Sequence, residues 1–162
     1  MYKVLLVDDE YMVTEGLKRL IPFEKWDMQV VATANHADDA LDYVKENPVD
    51  VIISDVNMPD KTGLEMIKEM REILPDAYYI LLSGYQEFDY VKKAMNLSVV
   101  DYLVKPVDKV ELSHLLEKIA SQLQEKVEQS QTLSQELDEE GFVNFLAGKD
   151  NWWIGLSKEK QG

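Results

Sequence analysis

The sequence contains no cysteine, and this absence excludes several kinds of chemistry. Without thiols the chain has no disulfide framework, no thiolate metal site and no cysteine nucleophile. Glycine is also sparse, with seven copies in 162 residues, and no glycine-rich phosphate-binding loop is present. A nucleotide-binding loop of that type is therefore not indicated.

Positive charge is in deficit, because 17 lysines and arginines face 31 aspartates and glutamates, for a net charge of −14. Phosphate backbones and anionic membranes repel such a chain, so we do not expect these residues themselves to bind nucleic acid. No apolar run approaches the roughly 20 residues that span a bilayer. The apolar start is too short for a signal peptide and stops at acidic residues. We therefore expect a soluble, cytoplasmic protein without a membrane partner.

Five short apolar segments rich in Val, Ile, Leu and Tyr alternate with amphipathic stretches of helical period. The third and fourth are continuously apolar, which is typical of parallel strands covered on both faces. Parallel neighbours need crossover connections, so this alternation predicts an α/β doubly wound sheet. The predicted strands are 2–7, 29–34, 49–54, 78–82 and 101–104, and the predicted helices between them are 11–21, 37–46, 62–74 and 87–97.

A fifth helix is predicted to begin near Asp108 and to be unusually long, since its apolar positions recur every three or four residues up to Leu123. Residues 124–135 are polar, which predicts a solvated helical linker. A short helix is expected at 141–147, followed by the aromatic pair Trp152-Trp153. Because those aromatic side chains need cover, we expect either the start of a second module or a dimer contact.

Polar residues follow four of the five predicted strands. In open parallel sheets, ligand sites lie beyond the carboxyl ends of the strands, so these residues are expected to meet at one edge. Each of them alone has an ordinary explanation, because an Asp or a Ser-Gly pair after a strand is commonly a turn or a helix cap. Their conjunction at several strand ends favours a site. The converging residues are Asp8, Asp9, Asp55, Ser83 and Lys105.

The chemistry of such a site follows from its charges. Clustered carboxylates repel one another, and a divalent cation together with the Lys105 ammonium would relieve that repulsion. Oxygen-only ligands indicate Mg²⁺. An anion with spare oxygens would complete the site, and phosphate fits. Phosphoryl transfer needs little beyond positioning, charge neutralisation and a nucleophile, and Asp55 can act as that nucleophile to form an acyl phosphate.

Four motifs contain or adjoin these polar residues: VDDE at 7–10, SDVNMP at 54–59 followed by Gly63, LSGY at 82–85 and DYLVKP at 101–106. In this order and spacing they resemble the receiver domain of two-component response regulators. The resemblance covers about residues 1–122 and leaves 123–162 as a helical linker and the start of a missing C-terminal module. Residues 83–90 and 101–107 are further similar to the subgroup that joins the receiver to a helix-turn-helix module of the arabinose-regulator (AraC) type.

The resemblance implies a flavodoxin-like sheet of strand order 2-1-3-4-5 with an extended C-terminal helix. It also implies that Asp55 accepts a phosphoryl group from a phosphohistidine of a sensor histidine kinase. Mg²⁺ would be held by Asp8, Asp9, Asp55 and the main-chain carbonyl of Asn57. The protein would catalyse only its own phosphorylation and dephosphorylation and would turn over no external metabolite.

The remaining implied roles concern the switch. Lys105 would pair with the acceptor carboxylate and then with a phosphate oxygen, and the peptide bond before Pro106 would be cis. Ser83 would donate a hydrogen bond to the phosphoryl group while Tyr102 turns inward. Phosphorylation would then favour a homodimer. DNA would be bound only through a C-terminal domain that is absent from this chain.

Three alternatives stay open at this stage. A receiver that has lost phosphorylation and acts as an interaction module is disfavoured by the complete set of acidic, hydroxyl and lysine residues. A phosphohydrolase of the haloacid-dehalogenase type uses a second Asp two residues after its nucleophile as a general acid. Here that position is Asn57, which cannot donate a proton in that role, so this alternative is disfavoured. A flavodoxin-like cofactor binder would share only the sheet, and the strand-end acids would repel a flavin phosphate.

Overall fold

The computed structural model describes residues 1–84 and 100–138, with the backbone alone for residues 100 and 128–138. Within these ranges the chain forms a parallel five-stranded sheet of order β2-β1-β3-β4-β5. The strands are β1 (Tyr2–Val7), β2 (Met28–Ala34), β3 (Val51–Asp55), β4 (Tyr78–Ser83) and β5 (Val100–Val104). The helices are α1 (Tyr11–Leu20), α2 (Ala37–Glu46), α3 (Gly63–Ile73) and α4 (Lys109–Asp138), with a 3₁₀ turn at Phe23–Trp26.

The predicted α/β class and strand order 2-1-3-4-5 are confirmed. The five predicted strands all form, and their ends move by at most two residues. The 3₁₀ turn before β2 is not among the predicted elements. The predicted helix 87–97, the predicted short helix 141–147 and the aromatic pair Trp152-Trp153 lie outside the described residues.

The central strands are covered on both faces, as their continuous apolar sequences indicate. Every residue of β3 is buried, and in β4 only the first residue is partly exposed. Ile52, Tyr79 and Leu81 belong to one apolar core with residues of α2 and α3. The Tyr79 hydroxyl donates a hydrogen bond to the Leu74 carbonyl oxygen at 2.8 Å, which satisfies the polar end of a buried ring.

The helix starts are fixed in different ways. Thr62 and Glu65 form a capping box at α3, so the helix predicted from residue 62 begins one residue later, at Gly63. Asp108 caps α4, because its Oδ1 accepts a hydrogen bond from the Val110 amide at 2.8 Å. At α2, however, the cap residue His36 makes no side-chain hydrogen bond to the helix.

The chain divides into two compact units, of which the first is Met1–Ile119. The second begins at Ala120, inside α4, and its described part is the helical segment that ends at Asp138. The extended C-terminal helix is thus confirmed, and the polar stretch 124–135 is helical throughout. Among the described residues, no helix combines the length and the apolar character that crossing a membrane requires.

Candidate functional site

Three charged side chains from three strand ends meet at the carboxyl edge of the sheet. Asp8 follows β1, Asp55 ends β3 and Lys105 follows β5. The Lys105 Nζ lies 3.3 Å from Asp8 Oδ2 and 3.1 Å from Asp55 Oδ1. These three residues, here called the carboxyl-edge cluster, come together because parallel strands end at one edge.

The two acids of the carboxyl-edge cluster are buried, and the cluster carries more acid than base. Asp8 is 2 % exposed and Asp55 is 5 % exposed. Burial raises the pKa of both carboxyl groups, although the neighbouring ammonium opposes the increase. Burial alone would lower the pKa of Lys105, but the Asp55 and Asp8 carboxylates raise it. Two buried carboxylates with one ammonium leave an uncompensated negative charge, which favours a bound cation.

The carboxylate and the backbone amide of Asp8 each form a hydrogen bond with the backbone of another residue. Its Oδ1 accepts a hydrogen bond from the Glu10 amide at 2.9 Å. Its own amide donates to the Ala34 carbonyl oxygen at 3.0 Å, which ties the end of β1 to the end of β2. The direction of the Asp8 carboxylate is therefore fixed before any ligand arrives.

The residues next to Asp8 fit a divalent cation. Asp9 and Glu10 are exposed, and carboxylate oxygens of Asp8, Asp9 and Glu10 all lie within 4.8 Å of one another. Mg²⁺ takes oxygen ligands, usually one or two carboxylates, and keeps several waters. This donor set therefore suits Mg²⁺. Glu10 was not among the predicted ligands, although its place directly after two aspartates was a signal that could have included it.

The backbone around Asp55 is tightly packed. The Ser54 hydroxyl donates to the Asp55 carbonyl oxygen at 2.9 Å. A Cβ added at Gly63 would lie 2.3 Å from that same carbonyl oxygen, so only glycine allows the chain to approach this closely. The Gly63 amide donates to the Val56 carbonyl oxygen at 2.7 Å. The start of α3 thereby supports the strand end that carries Asp55.

The loop between β3 and α3 is fastened at a second place that the sequence did not reveal. The Asp60 carboxylate accepts hydrogen bonds from the amides of Ala37 at 3.3 Å and Asp38 at 3.1 Å, which are the first residues of α2. Lys61 pairs with Asp38 at 3.3 Å and also with Glu69 on α3. Asn57, between these two attachments, is exposed.

Ser83, the last residue of β4, also lies at the carboxyl edge, and its buried side chain is in an unusual environment. It is 1 % exposed, and its hydroxyl has no hydrogen-bond partner among the residues that the structure describes. Its carbonyl oxygen accepts a hydrogen bond from the Lys105 amide at 2.7 Å, which joins it to the segment that carries the lysine. Buried hydroxyl groups are nearly always hydrogen-bonded, so this one is suited to a ligand.

The other predicted site residues lie on or after β5. Tyr102 pairs in register with Leu81, and its side chain is 36 % exposed. The Lys105–Pro106 peptide bond is cis.

An apolar groove with a volume of about 240 Å³ adjoins Lys105. Its walls come from α1 and from the segment after β5. Met12 and Leu20, which contribute to it, are 79 % and 61 % exposed. Exposed apolar side chains of this size, next to a polar site, are typical of protein-binding surfaces.

The model of the response regulator receiver domain family matches residues 4–117. The chain belongs to this family. The strand order, the buried acidic pair and the lysine after β5 all lie within the matched region. The predicted resemblance to receiver domains is thus confirmed.

Similar proteins also include transcription regulators. The transcriptional regulatory protein HptR of Staphylococcus aureus is 33 % identical over 130 residues, which cover 80 % of this chain and 51 % of HptR. The REC domain of the response regulator AraT from Geobacillus stearothermophilus is 38 % identical, with a TM-score of 0.73, and the match covers 77 % of this chain and 97 % of that one. The two component transcriptional regulator AraC from Clostridium phytofermentans is 28 % identical, with a TM-score of 0.70, covering 76 % and 98 %.

The chain spans about half the length of the first curated relatives that it matches.

Proposed function

We propose that this receiver accepts a phosphoryl group on Asp55 from a phosphohistidine of a sensor histidine kinase. The observation that carries the proposal is the position of the Lys105 ammonium, which contacts both Asp8 and Asp55 in a buried acidic pocket. Family membership supports it, because receiver domains are phosphorylation switches that act on no external substrate. In this proposal the protein catalyses only its own phosphorylation and dephosphorylation.

The transfer balances as a simple displacement. A carboxylate oxygen of Asp55 attacks phosphorus and forms an acyl phosphate, while the phosphorus–nitrogen bond breaks and the imidazole of the kinase leaves and takes a proton. Lys105 then exchanges part of its contact with Asp55 for a phosphate oxygen. Burial raises the pKa of the Asp55 carboxyl group, and the adjacent Lys105 ammonium opposes that increase and so favours the attacking anion.

The residues proposed to hold Mg²⁺ are Asp8, Asp9, Asp55 and the main-chain carbonyl of Asn57. When bound, the ion neutralises negative charge on the phosphoryl oxygens. The close approach of the Asp8 and Asp9 carboxylates supports this assignment. Asp8 is fixed by the Glu10 amide and by Lys105, whereas the exposed Asp9 is free to face the ion directly.

Ser83 and Tyr102 are the proposed switch residues. The phosphoryl group adds about −1.5 to −2 charge, and the buried Ser83 hydroxyl is available to donate to one of its oxygens. Hydrogen bonds to charged groups contribute about 1.5–3 kcal/mol each. Reversing a population from 1:99 to 99:1 takes about 5.5 kcal/mol, so Ser83 and Lys105 supply much of it and homodimer formation supplies the remainder.

The proposed partners are a sensor histidine kinase and, through a DNA-binding module, DNA. The apolar groove beside Lys105 supports a protein that docks next to Asp55 and presents its phosphohistidine there. Residues 1–122 are proposed as the receiver and 123–162 as a helical linker to a DNA-binding module. The transcription regulators among the similar proteins, which are about twice as long as the matched region, support this output.

The experiment is intact mass measurement of the chain with Mg²⁺ and acetyl phosphate, with light scattering on the same samples. One added phosphoryl group in the natural sequence, and none in Asp55→Ala, is expected together with a shift toward dimer. Asp50→Ala is the matched control, since Asp50 lies at the amino end of the strand that ends in Asp55. No added mass with acetyl phosphate or with a phosphorylated kinase would instead favour a phosphorylation-independent interaction module.

A further inference from the structure

The loop that carries Asp55 and Asn57 is attached to a helix far away in sequence. Asp60 reaches the first two amides of α2, 22 and 23 residues before it in the chain, and accepts a hydrogen bond from each. The cap residue of α2 makes no side-chain hydrogen bond to the helix, so Asp60 takes over the role that a local cap usually has. A helix start is thereby joined to the loop of the proposed metal site.

This attachment completes a path of contacts between the two acidic residues of the carboxyl-edge cluster, Asp8 and Asp55. On one side, the Asp8 amide donates to the Ala34 carbonyl oxygen, and the chain continues from Ala34 to the start of α2 at Ala37. On the other side, the hydrogen bond between Asp60 and α2 connects the start of that helix to the loop that follows Asp55. The Asp8 side and the Asp55 side of the pocket are thus linked by backbone and hydrogen bonds on the side away from Lys105.

The loop is held at its start by backbone contacts and farther along by Asp60 and Lys61. Val56 is fixed by two backbone hydrogen bonds, one to Leu82 and one from Gly63. Asn57 is exposed and Met58 is buried. The Asn57 amide also interacts with the Asp55 carboxylate. The Asn57 carbonyl is therefore positioned from Asp55 on one side and, on the other, from the chain after Met58, where Asp60 is attached two residues farther along.

Both the negative charge of Asp60 and its position at a helix start favour its attachment to α2. Asp60 is exposed, and the slight burial of its carboxyl group, which raises the pKa, is outweighed by the amides of Asp38 and Ala37, which lower it. The net direction of the pKa is downward, and the carboxylate is ionised at neutral pH. A carboxylate near the first turn of a helix is also favoured by the helix dipole. Lys61 adds a pair to the Asp38 side chain on the same helix.

We infer that Asp60 is a positioning residue for Mg²⁺ binding: by fastening the β3–α3 loop to the start of α2, it places the Asn57 carbonyl and Asp55 opposite Asp8 and Asp9. This inference rests on the proposed function, because it assumes that Mg²⁺ binds in the acidic pocket. It assigns to Asp60 no contact with the ion.

The test measures Mg²⁺ affinity calorimetrically in the full chain, at a temperature where every variant is folded. Asp60→Ala is expected to weaken binding by about tenfold, the lower end of what supporting partners contribute around metal ligands. Asp60→Asn keeps one of the two accepting oxygens, so it is expected to lose less affinity than Asp60→Ala. Unchanged Mg²⁺ affinity in Asp60→Ala would overturn the inference.

Asp50→Ala is the matched control. Asp50 also accepts a backbone hydrogen bond from a distant residue, the Lys3 amide at 2.8 Å, but at the amino end of the sheet. It is expected to leave Mg²⁺ affinity unchanged, and a similar loss there would mean a general loss of stability and overturn the inference.

Amide hydrogen exchange supplies a readout that does not depend on Mg²⁺. Exchange at Ala37 and Asp38 is expected to speed up in Asp60→Ala and to stay unchanged in Asp50→Ala. Faster exchange with unchanged Mg²⁺ affinity would overturn the positioning role while leaving the proposed function intact. Absence of Mg²⁺ binding in the natural sequence would overturn the proposed function, and the inference with it.

Discussion

The two ends of the parallel sheet differ in how deeply their charged groups are buried. At the amino end, the exposed N-terminal ammonium lies 4.0 Å from the exposed Asp27 carboxylate, and the Asp50 carboxylate accepts a hydrogen bond from the Lys3 amide. At the carboxyl end, Asp8 and Asp55 are buried around one ammonium.

The two ends differ in how their charges are compensated. Exposed ion pairs contribute about 0–1 kcal/mol and cost little, because water solvates both partners. Buried charges lose that solvation, and two acids around one base remain unbalanced. The charges described at the amino end are therefore solvated, whereas the carboxyl-edge cluster keeps an unbalanced negative charge, which supports the Mg²⁺ proposed for it.

Among the changes considered at the carboxyl end, replacing Lys105 should lower the free energy of unfolding most. Lys105→Met leaves two buried carboxylates without their cation and is expected to lower the free energy of unfolding by about 2–3 kcal/mol at pH 7, below the loss for a fully buried pair because Lys105 is one quarter exposed. Chemical denaturation measures the change. The loss should shrink at acidic pH, where the carboxyl groups become protonated.

The control for this variant is Lys45→Met, since Lys45 and Asp42 form an exposed pair. Its effect should stay within about 0.5 kcal/mol. Equal losses in Lys105→Met and Lys45→Met would mean that the buried cluster and an exposed ion pair do not differ in the way proposed.

Two glycines test how closely the backbone is packed at the carboxyl end. In Gly63→Ala the new Cβ meets the Asp55 carbonyl oxygen, and the expected loss is about 1–3 kcal/mol. In Gly16→Ala, on α1, a Cβ meets nothing within 4 Å, and the expected gain is about 0.5–1 kcal/mol because alanine favours helix. Melting temperatures that move in the same direction for both variants would contradict the packing argument.

Removing one acid should have the opposite sign to removing the base. Asp8→Asn leaves Asp55 and Lys105 as a balanced pair, and it is expected to stabilise the protein by about 1 kcal/mol, which for a chain of this length is about 2–4 °C in melting temperature. Because Asp8 is a proposed Mg²⁺ ligand, the same variant should bind Mg²⁺ more weakly. A lower melting temperature at pH 7 would show that the natural pocket is not strained by excess acid.

The pH dependence of stability follows from the same pocket. Because the folded pKa values of Asp8 and Asp55 are raised above the ordinary 3.8, the folded state holds these protons more tightly. Their contribution to the free energy of unfolding is then largest below pH 3.8 and falls as the pH rises through the folded pKa values. In Asp8→Asn this fall should be smaller. Lys105 acts on the alkaline side, where its contribution is complete below 10.5 and is lost as the pH rises through its raised pKa.

The smallest expected effect on stability belongs to Ser83. Its buried hydroxyl has no partner within the described part of the chain, so Ser83→Ala should change the free energy of unfolding by less than about 1 kcal/mol. The phosphorylation-driven shift toward dimer should weaken clearly, as light scattering measures. Undiminished dimerisation in a fully phosphorylated Ser83→Ala sample would remove Ser83 from the proposed switch.

Much of the fold could be predicted from the sequence because its signals are local. The continuous apolar runs of β3 and β4 indicated buried parallel strands, and the polar residues that follow Val7, Ser54 and Val104 indicated one site at the carboxyl edge. The 3₁₀ turn at Phe23–Trp26 was missed, since four residues carry too little periodicity to be recognised.

The role of Asp60 could not be predicted in the same way. Read along the sequence, it belongs to a loop of Pro, Asp and Lys and is typical of a turn. Only the packed structure shows that its partners are the amides at the start of α2. Likewise, nothing in the sequence says that the Ser83 hydroxyl is left without a partner or that Gly63 lies against the Asp55 carbonyl.

The sequence by itself therefore determined the α/β class, the strand positions and the set of residues at the carboxyl edge, because apolar periodicity and strand ends are properties of consecutive residues. Tertiary structure alone decided which side chains touch, how deeply Asp8 and Asp55 are buried, and that one lysine serves both. Those properties depend on contacts between residues as far as 97 positions apart, and their energies depend on the exclusion of water, which local sequence does not encode.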